Sequence, residues 1–407
     1  MSTDRLAEFV ARSWGEPRGL RLDVRALRGG LESAAVAEVT ARFLDARDRP
    51  RSAAFVVKTL EGMPAREADI YQRLVAPLGG GIAPALLGIE RLGAASCLLF
   101  LERIRPVRRW PWREEAAARR LLERLAHLHA SAPPVDPREI LLDWDYEREL
   151  AERTWSAVEA LERLPRDQGF APLRQGLGSL RRIGEELPEV RGQLLAFAPF
   201  GAVAIHGDAH PGNAMVRSGG QPVLLDWGRA RLGSPLEDVS SWLQSLGYWE
   251  PAAKRRHDTL LAGYLAARGL PARADRELRD AYWLAGASNA LSGALLVHLR
   301  ASIDAPPGSW PRAAAVQAAA DALRVIRRAA ACWREARAPR QRKPLSSPEV
   351  RVESLPSGRH PTSSPRAGAG SSRKDRLRAT HPECRAWLPR AARACRGTRV
   401  PPRRATS

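Results

Sequence analysis

The chain has 407 residues, 44% hydrophobic and 27% charged, with a formal net charge of +20; this length exceeds the usual ~100–200 residues per domain and excludes a single small bundle. No run of eighteen apolar residues occurs, and the opening MSTDRLAEFVARSWGE carries acids and no apolar core, so neither a membrane span nor a secretory leader is expected and the protein is expected in the cytoplasm. The four cysteines (Cys97, Cys332, Cys384, Cys395) lack CxxC or Cys/His ligand spacing, which argues against a zinc site or a disulfide framework.

Leu20, Leu22 and Val24 alternate with polar residues, the period of a half-buried strand, and Arg28-Gly29-Gly30-Leu31-Glu32-Ser33 supplies the turn after it. Strands are expected again over 34–44 and 52–60 around a polar turn at 45–50, so the first sixty residues predict an antiparallel meander. Residues 65–75 have helical spacing, with Ile70, Leu74 and Val75 to one side, and 83–88 and 95–104 predict two further strands. Beyond Pro106 the period becomes helical. Leu121, Leu122, Leu125 and Leu128 share one face of a helix over 114–130, and 137–164, 172–187, 252–268, 273–299 and 312–336 are further helices. Between them, 203–208 and 222–226 each form an apolar strand ending in an aspartate, and the two are expected to pair as one small hairpin.

The pattern predicts an α+β, bilobal protein: an antiparallel β-sheet lobe with one main helix (1–106), a mostly helical lobe (107–338) and a tail (339–407). The tail holds seventeen Lys and Arg against four Asp and Glu, with ten Pro, nine Ser and only seven Leu, Ile, Val or Phe. That is too little apolar surface to offset the entropy of ordering, so disorder is expected there. Most of the net charge sits in this segment. Nucleic-acid binding is therefore expected only as nonspecific attraction through the tail.

Only four of the 65 basic side chains are lysine and only two residues are asparagine, a bias that suggests a G+C-rich coding sequence. Lys58 and Asn213, which persist inside apolar segments against that bias, are marked as chemically required. Asn213 closes H-G-D-A-H-P-G-N (206–213), and Asp226 follows thirteen residues later in L-L-D-W-G. Phosphoryl transfer explains these types, because it needs a carboxylate near the attacking hydroxyl and oxygen ligands for a hard cation such as Mg²⁺. Asp208, Asn213 and Asp226 would supply the oxygens, while Lys58 on a strand would meet the phosphates and Glu67 on the next helix would hold its ammonium.

H-G-D-A-H-P-G-N followed by DWGRARLGSPLEDVSSWL resembles the aminoglycoside phosphotransferase and choline kinase superfamily, and the pattern extends over residues 20 to 335. The resemblance implies a protein-kinase-like fold and a phosphotransferase that uses ATP, with GTP as the alternative donor, and Mg²⁺. It implies Asp208 as catalytic base, Asn213 and Asp226 as metal ligands, Lys58 and Glu67 as the nucleotide-positioning pair, and the backbone of Leu101, Glu102 and Arg103 as the adenine dock. The resemblance also implies that Asp238, after Gly233-Ser234-Pro235, braces the loop and takes no part in the chemistry. No G-x-G-x-x-G precedes Lys58, so residues 29–33 must cover the phosphates, with Ser33 a better donor than the like-charged Glu32. Trp227 stands where protein kinases carry Phe, which points to a small hydroxylated acceptor.

Among the histidines, His206 is expected to orient the catalytic loop, His210 to hydrogen-bond within it, and His127 and His129 to be structural. The segment 136–162 carries nine acids, among them Asp143, Asp145 and Glu149. Two readings stand: a solvated helix face paired with Arg148 and Arg153, or a field that concentrates a cationic acceptor. A catalytically silent kinase-like scaffold that holds a partner is the alternative to an enzyme, and the complete set of five cleft residues counts against it.

Overall fold

The computed structural model describes residues 2–27, 35–79, 81–106, 110–131 and 136–337. The expectations for Ser33 with its turn and for the tail 339–407 lie outside the described residues.

Helix α1 (Thr3–Trp14), unforeseen in the sequence reading, begins where the Ser2 side chain accepts from the Asp4 amide at 3.2 Å. Its Leu6, Phe9 and Val10 are buried on one face of a five-stranded antiparallel sheet, β1 (Arg18–Leu27), β2 (Ala35–Leu44), β3 (Pro50–Glu61), β4 (Leu86–Gly93) and β5 (Ser96–Glu102), in the order β1-β2-β3-β5-β4. Phe9 stacks on Phe100 at 3.8 Å, and Gly88 is required beneath it, since a Cβ there would lie 2.9 Å from the Phe9 ring. Burial of three large apolar side chains contributes ~1.5–3 kcal/mol each.

The continuous apolar run of β5 follows from covering both sheet faces. Leu98 and Phe100 pack with α1, whereas Cys97, Leu99 and Leu101 join Tyr71 and Leu74 in the central core. That second face also carries Lys58, in register with Val36 on β2 and Leu99 on β5. Helix α2 (Arg66–Ile70) continues through a wider turn (Tyr71–Val75) and crosses this face. The strand expected at 83–88 starts three residues later and runs to Gly93. Its first residues bond elsewhere: the Ala83 carbonyl accepts from Arg217 at 3.3 Å and the Ala85 amide donates to the Glu102 carboxylate at 3.0 Å, and just before them the Ile82 carbonyl accepts from the Leu224 amide at 2.7 Å.

The helical lobe comprises α3 (Glu115–Ala130), α4 (Tyr146–Glu162), α5 (Leu177–Glu185), α6 (Leu187–Ala196), α7 (Pro235–Trp249), α8 (His257–Ala267), α9 (Arg276–Asn289), α10 (Leu295–Asp304) and α11 (Trp310–Arg337). Three expected helices are broken. The 137–164 span divides at Asp145, which caps α4 by accepting from the Arg148 amide at 3.0 Å. The 172–187 span divides into Ala171–Arg174 and α5, and the 273–299 span passes through a wide turn at Ala290–Ala294, where Gly293 is non-helical. α7 opens with a capping box: Ser234 accepts from the Leu236 amide and Glu237 from the Ser234 amide.

The single hairpin of the sequence reading is replaced by two short ribbons. β6 (Val203–Ile205) pairs with β9 (Arg231–Gly233), and β7 (Ala214–Val216) pairs with β8 (Pro222–Leu224). The five-residue connection between β7 and β8 closes a local hairpin, so β6 finds its partner beyond the second aspartate. Both aspartate loops then emerge between the ribbons. Among the described residues no helix is long and apolar enough to cross a membrane.

Candidate active site

Lys58 leaves β3 toward α2, and its Nζ donates to Glu67 Oε2 at 2.5 Å and to Asp226 Oδ1 at 2.9 Å. The lysine side chain is 9% exposed and Glu67 is buried, while Asp226 is 37% exposed. Burial alone would push the Lys58 ammonium toward neutrality, but the two flanking carboxylates outweigh it and hold it above the ordinary lysine range. Glu67 Oε1 also accepts from the Trp227 amide at 3.1 Å, which ties α2 to the turn after Asp226. Asp226 itself has φ 61° and ψ 69°, a left-handed conformation that few non-glycine residues adopt, and it turns the carboxylate out of β8 toward Lys58.

Asp208 and Asn213 form the second half of the site. Asn213 Nδ2 donates to Asp208 Oδ2 at 2.8 Å and to the Asp208 carbonyl at 3.2 Å, so Oδ1 is the amide atom left to ligate a cation. The Asn213 carbonyl accepts from the Leu225 amide at 2.7 Å, which fixes Asn213 beside the residue preceding Asp226. An amide oxygen and a carboxylate oxygen on adjoining loops suit Mg²⁺, which takes few protein ligands and completes its shell with phosphate and water. Among the described residues no cluster of three or more His, Cys, Asp or Glu is placed to hold a metal.

The Asp208 side chain is 38% exposed, with His210 Nε2 3.6 Å from Oδ2. Partial burial opposes its charge, but His210, His206 and Arg229 outweigh this and hold the carboxyl at about 2. His210 also accepts at Nδ1 from the Gly212 amide at 3.0 Å. His206 is buried, which holds its imidazole below the usual histidine range, and its neighbours identify the tautomer: Nε2 donates to the Leu225 carbonyl at 2.9 Å and Nδ1 accepts from the Asp208 amide at 3.2 Å. Asp238 accepts from the His206 and Gly207 amides, each at 2.8 Å, and from His129 Nε2 at 3.1 Å, while Tyr264 donates to His129 Nδ1. Gly207 has φ 79°, and a Cβ there would lie 2.1 Å from the Arg229 carbonyl, so only glycine fits.

Leu101, Glu102 and Arg103 lie at and just beyond the end of β5. The Glu102 carboxylate accepts from the Ala85 amide at 3.0 Å and pairs with Arg217 at 3.3 Å, and Arg103 pairs with Glu38 at 2.5 Å. The acidic candidates have internal partners too. Asp143 pairs with Arg66 at 2.8 Å, Asp145 caps α4, and Glu149 pairs with Arg153 at 2.5 Å and Arg229 at 3.2 Å and accepts from Trp144 Nε1 at 2.6 Å.

Two arrangements escaped sequence reasoning. Buried Arg231 donates to the Gly207 carbonyl at 3.0 Å and pairs with Glu237, which also meets buried Arg191 at 2.8 Å, with the Tyr146 ring 3.9 Å from the Arg231 guanidinium carbon. This network underlies the 206–213 loop, and its one sequence signal was the S-x-x-E box containing Glu237. Arg66, next to Glu67, had no signal in a chain so rich in arginine.

The family model described as "Phosphotransferase enzyme family" (APH) matches residues 23–282. Similar solved structures include a candidate aminoglycoside phosphotransferase from Ralstonia eutropha, at TM-score 0.51 and 14% identity over 82% of this chain and 98% of that one. A choline/ethanolamine kinase family protein from Mesorhizobium loti has TM-score 0.48 and 16% identity over 82% of this chain and 100% of that one. Spectinomycin phosphotransferase, solved with ADP and spectinomycin, has TM-score 0.48 and 12% identity over 80% of this chain and 98% of that one. No curated protein matches the chain by sequence.

Proposed function

The chain belongs to the phosphotransferase enzyme family and is a kinase of small molecules, and from that premise we propose that it transfers the γ-phosphate of ATP, in the presence of Mg²⁺, to a hydroxyl of a small metabolite or antibiotic. The observation that carries this reading is the joint bonding of Lys58 to Glu67 and Asp226, next to a loop in which Asn213 holds Asp208. The Lys58 ammonium, kept charged by its two carboxylates, would meet the α/β-phosphates while Glu67 fixes its direction. Asn213 Oδ1 and the Asp226 carboxylate would hold Mg²⁺, which when bound offsets phosphate charge.

Asp208, ionised at neutral pH, is an acceptor-only carboxylate able to take the proton of the attacking hydroxyl, with Asn213 and His210 fixing which oxygen faces the substrate. His206, Asp238 and Arg231 hold the loop backbone and contribute no chemistry of their own. A buried ion pair such as Lys58–Glu67 costs several kcal/mol in desolvation, which a chain with no nucleotide to bind would have little reason to maintain. This supports an enzyme over a silent scaffold. The adenine would dock on the backbone of Leu101, Glu102 and Arg103, with GTP as the competing donor.

Asp143, Asp145 and Glu149 are matched by Arg66, by a backbone amide, and by Arg153 with Arg229. The acceptor we propose is therefore defined by its hydroxyl and not by an amine, in a cytoplasmic setting. The test is a screen of amine-bearing, neutral and anionic alcohols, sugars and antibiotics with ATP or GTP, read by nucleoside diphosphate release. Turnover that needs Mg²⁺ and is lost in Asp208→Asn supports the reading; no acceptor-dependent release, or full turnover in that variant, overturns it.

A further inference from the structure

Arg66 stands one residue before Glu67, and its side chain is 5% exposed. Its guanidinium is saturated on two sides. Nη1 donates to the carbonyls of Gly228 and Ala230 at 2.8 and 2.9 Å, in the turn that follows Asp226. Nη2 and Nε donate to the Asp143 carboxylate at 2.8 and 3.2 Å. The adjacent Trp144 ring lies 5.2 Å from the Arg66 guanidinium carbon and 4.6 Å from that of Arg229, and its Nε1 donates to Glu149, the carboxylate that also pairs with Arg229. Segment 143–149, at the entrance to α4, is thus joined through one buried arginine to the helix that aims Glu67 and to the turn that carries Asp226.

We propose that Asp143, acting through Arg66, is a positioning residue for the metal-ligating carboxylate Asp226, and not a residue that touches the acceptor. This rests on the kinase reading given above. The physical argument is one of fixed geometry. Asp226 occupies a left-handed backbone conformation that surrounding contacts must maintain, and the Arg66 bonds to Gly228 and Ala230 are contacts of that kind. Asp143 is 50% exposed but Arg66 is buried, so with the carboxylate gone the guanidinium charge is matched by the two carbonyls alone and its hold on the turn should loosen. Residues that orient a metal ligand without touching the metal typically change metal affinity or activity by 10–100-fold.

The experiment is titration calorimetry of a non-hydrolysable ATP analogue, with Mg²⁺ and with EDTA, on the full chain and on Asp143→Asn, Asp143→Glu and Arg66→Lys. Arg148→Gln, on the exposed side of α4, serves as a control. Wild type should bind more tightly with Mg²⁺ than without. In Asp143→Asn that Mg²⁺-dependent gain should fall about tenfold while metal-free affinity holds, Asp143→Glu should recover part of it, and Arg66→Lys, which cannot reach both carbonyls and the carboxylate, should lose it. A residue that serves only the acceptor or only stability would not change the ratio of the two affinities. Asp143→Asn with an unchanged Mg²⁺-dependent gain, or with both affinities falling equally, overturns the proposal alone. A wild-type chain with no Mg²⁺-dependent nucleotide binding overturns the kinase reading and the proposal with it.

Discussion

Replacing Asp238 with asparagine changes one heavy atom at the base of the loop 206–213 and tests whether that loop is held by charge. The carboxylate is buried and receives three donors, the His206 and Gly207 amides and His129 Nε2. Asparagine keeps one acceptor oxygen. In its better orientation the oxygen keeps His206 and His129, and the new NH₂ faces the Gly207 amide, leaving a buried donor against a donor. Loss of a charge-assisted hydrogen bond costs about 1.5–3 kcal/mol, and weakening of the remaining two brings the expected destabilisation to about 2–4 kcal/mol. In a folded unit of this size 1 kcal/mol corresponds to about 1.4 °C, so thermal unfolding should fall by about 3–6 °C.

The pH dependence carries a sign. Burial raises the Asp238 carboxyl, but His129, His206 and the backbone amides outweigh it and hold the group below the usual range. Its stabilisation is present above the unfolded carboxyl value near pH ~4 and is lost as pH falls through the lower folded value. Melting curves from pH 3 to 8 should therefore show a smaller acid-induced loss in Asp238→Asn than in wild type. A variant that melts within 1 °C of wild type, or that retains the full acid dependence, would refute the argument.

Asp208→Asn should leave melting and nucleotide binding unchanged and lower turnover by about 10²–10⁴-fold, as steady-state assays with any acceptor found in the screen would record. Asp226→Ala should abolish the Mg²⁺-dependent part of nucleotide binding in calorimetry, because the expected metal carboxylate is gone. His210→Ala should raise the Asp208 carboxyl from about 2 toward the ordinary range, since His210 leads the interactions that offset burial, so the acid limb of the pH–rate profile should move upward. Deleting residues 340–407 should leave turnover and melting temperature nearly unchanged, because the segment has so few apolar residues; a fall of several degrees would show that it packs.

Much of the site was legible because its elements are local. Period-two alternation identifies β1 from side chains two residues apart, the polar turn at 45–50 separates β2 from β3, and H-G-D-A-H-P-G-N puts Asp208 and Asn213 on one loop whatever the rest of the chain does. The scarcity of lysine and asparagine pointed to Lys58 and Asn213. The same argument is blind to purpose, however: Asn289, the other asparagine, donates to the Glu237 carbonyl and to Ser240 and fastens α9 to α7.

What tertiary structure alone decided are pairings between distant segments. β6 and β8 are both apolar and both precede an aspartate, but a strand's partner depends on which edge the folded lobe presents, and that edge belongs to β9. The acids of 136–162 left two readings open, a paired helix face or a field, because sequence gives their charge and not their counter-ions. Folding brings Arg66 from 77 residues away to Asp143 and Arg229 from 80 residues away to Glu149. Electrostatic energy falls with distance in space, not along the chain, so a carboxylate's role is fixed only when its nearest cation is known.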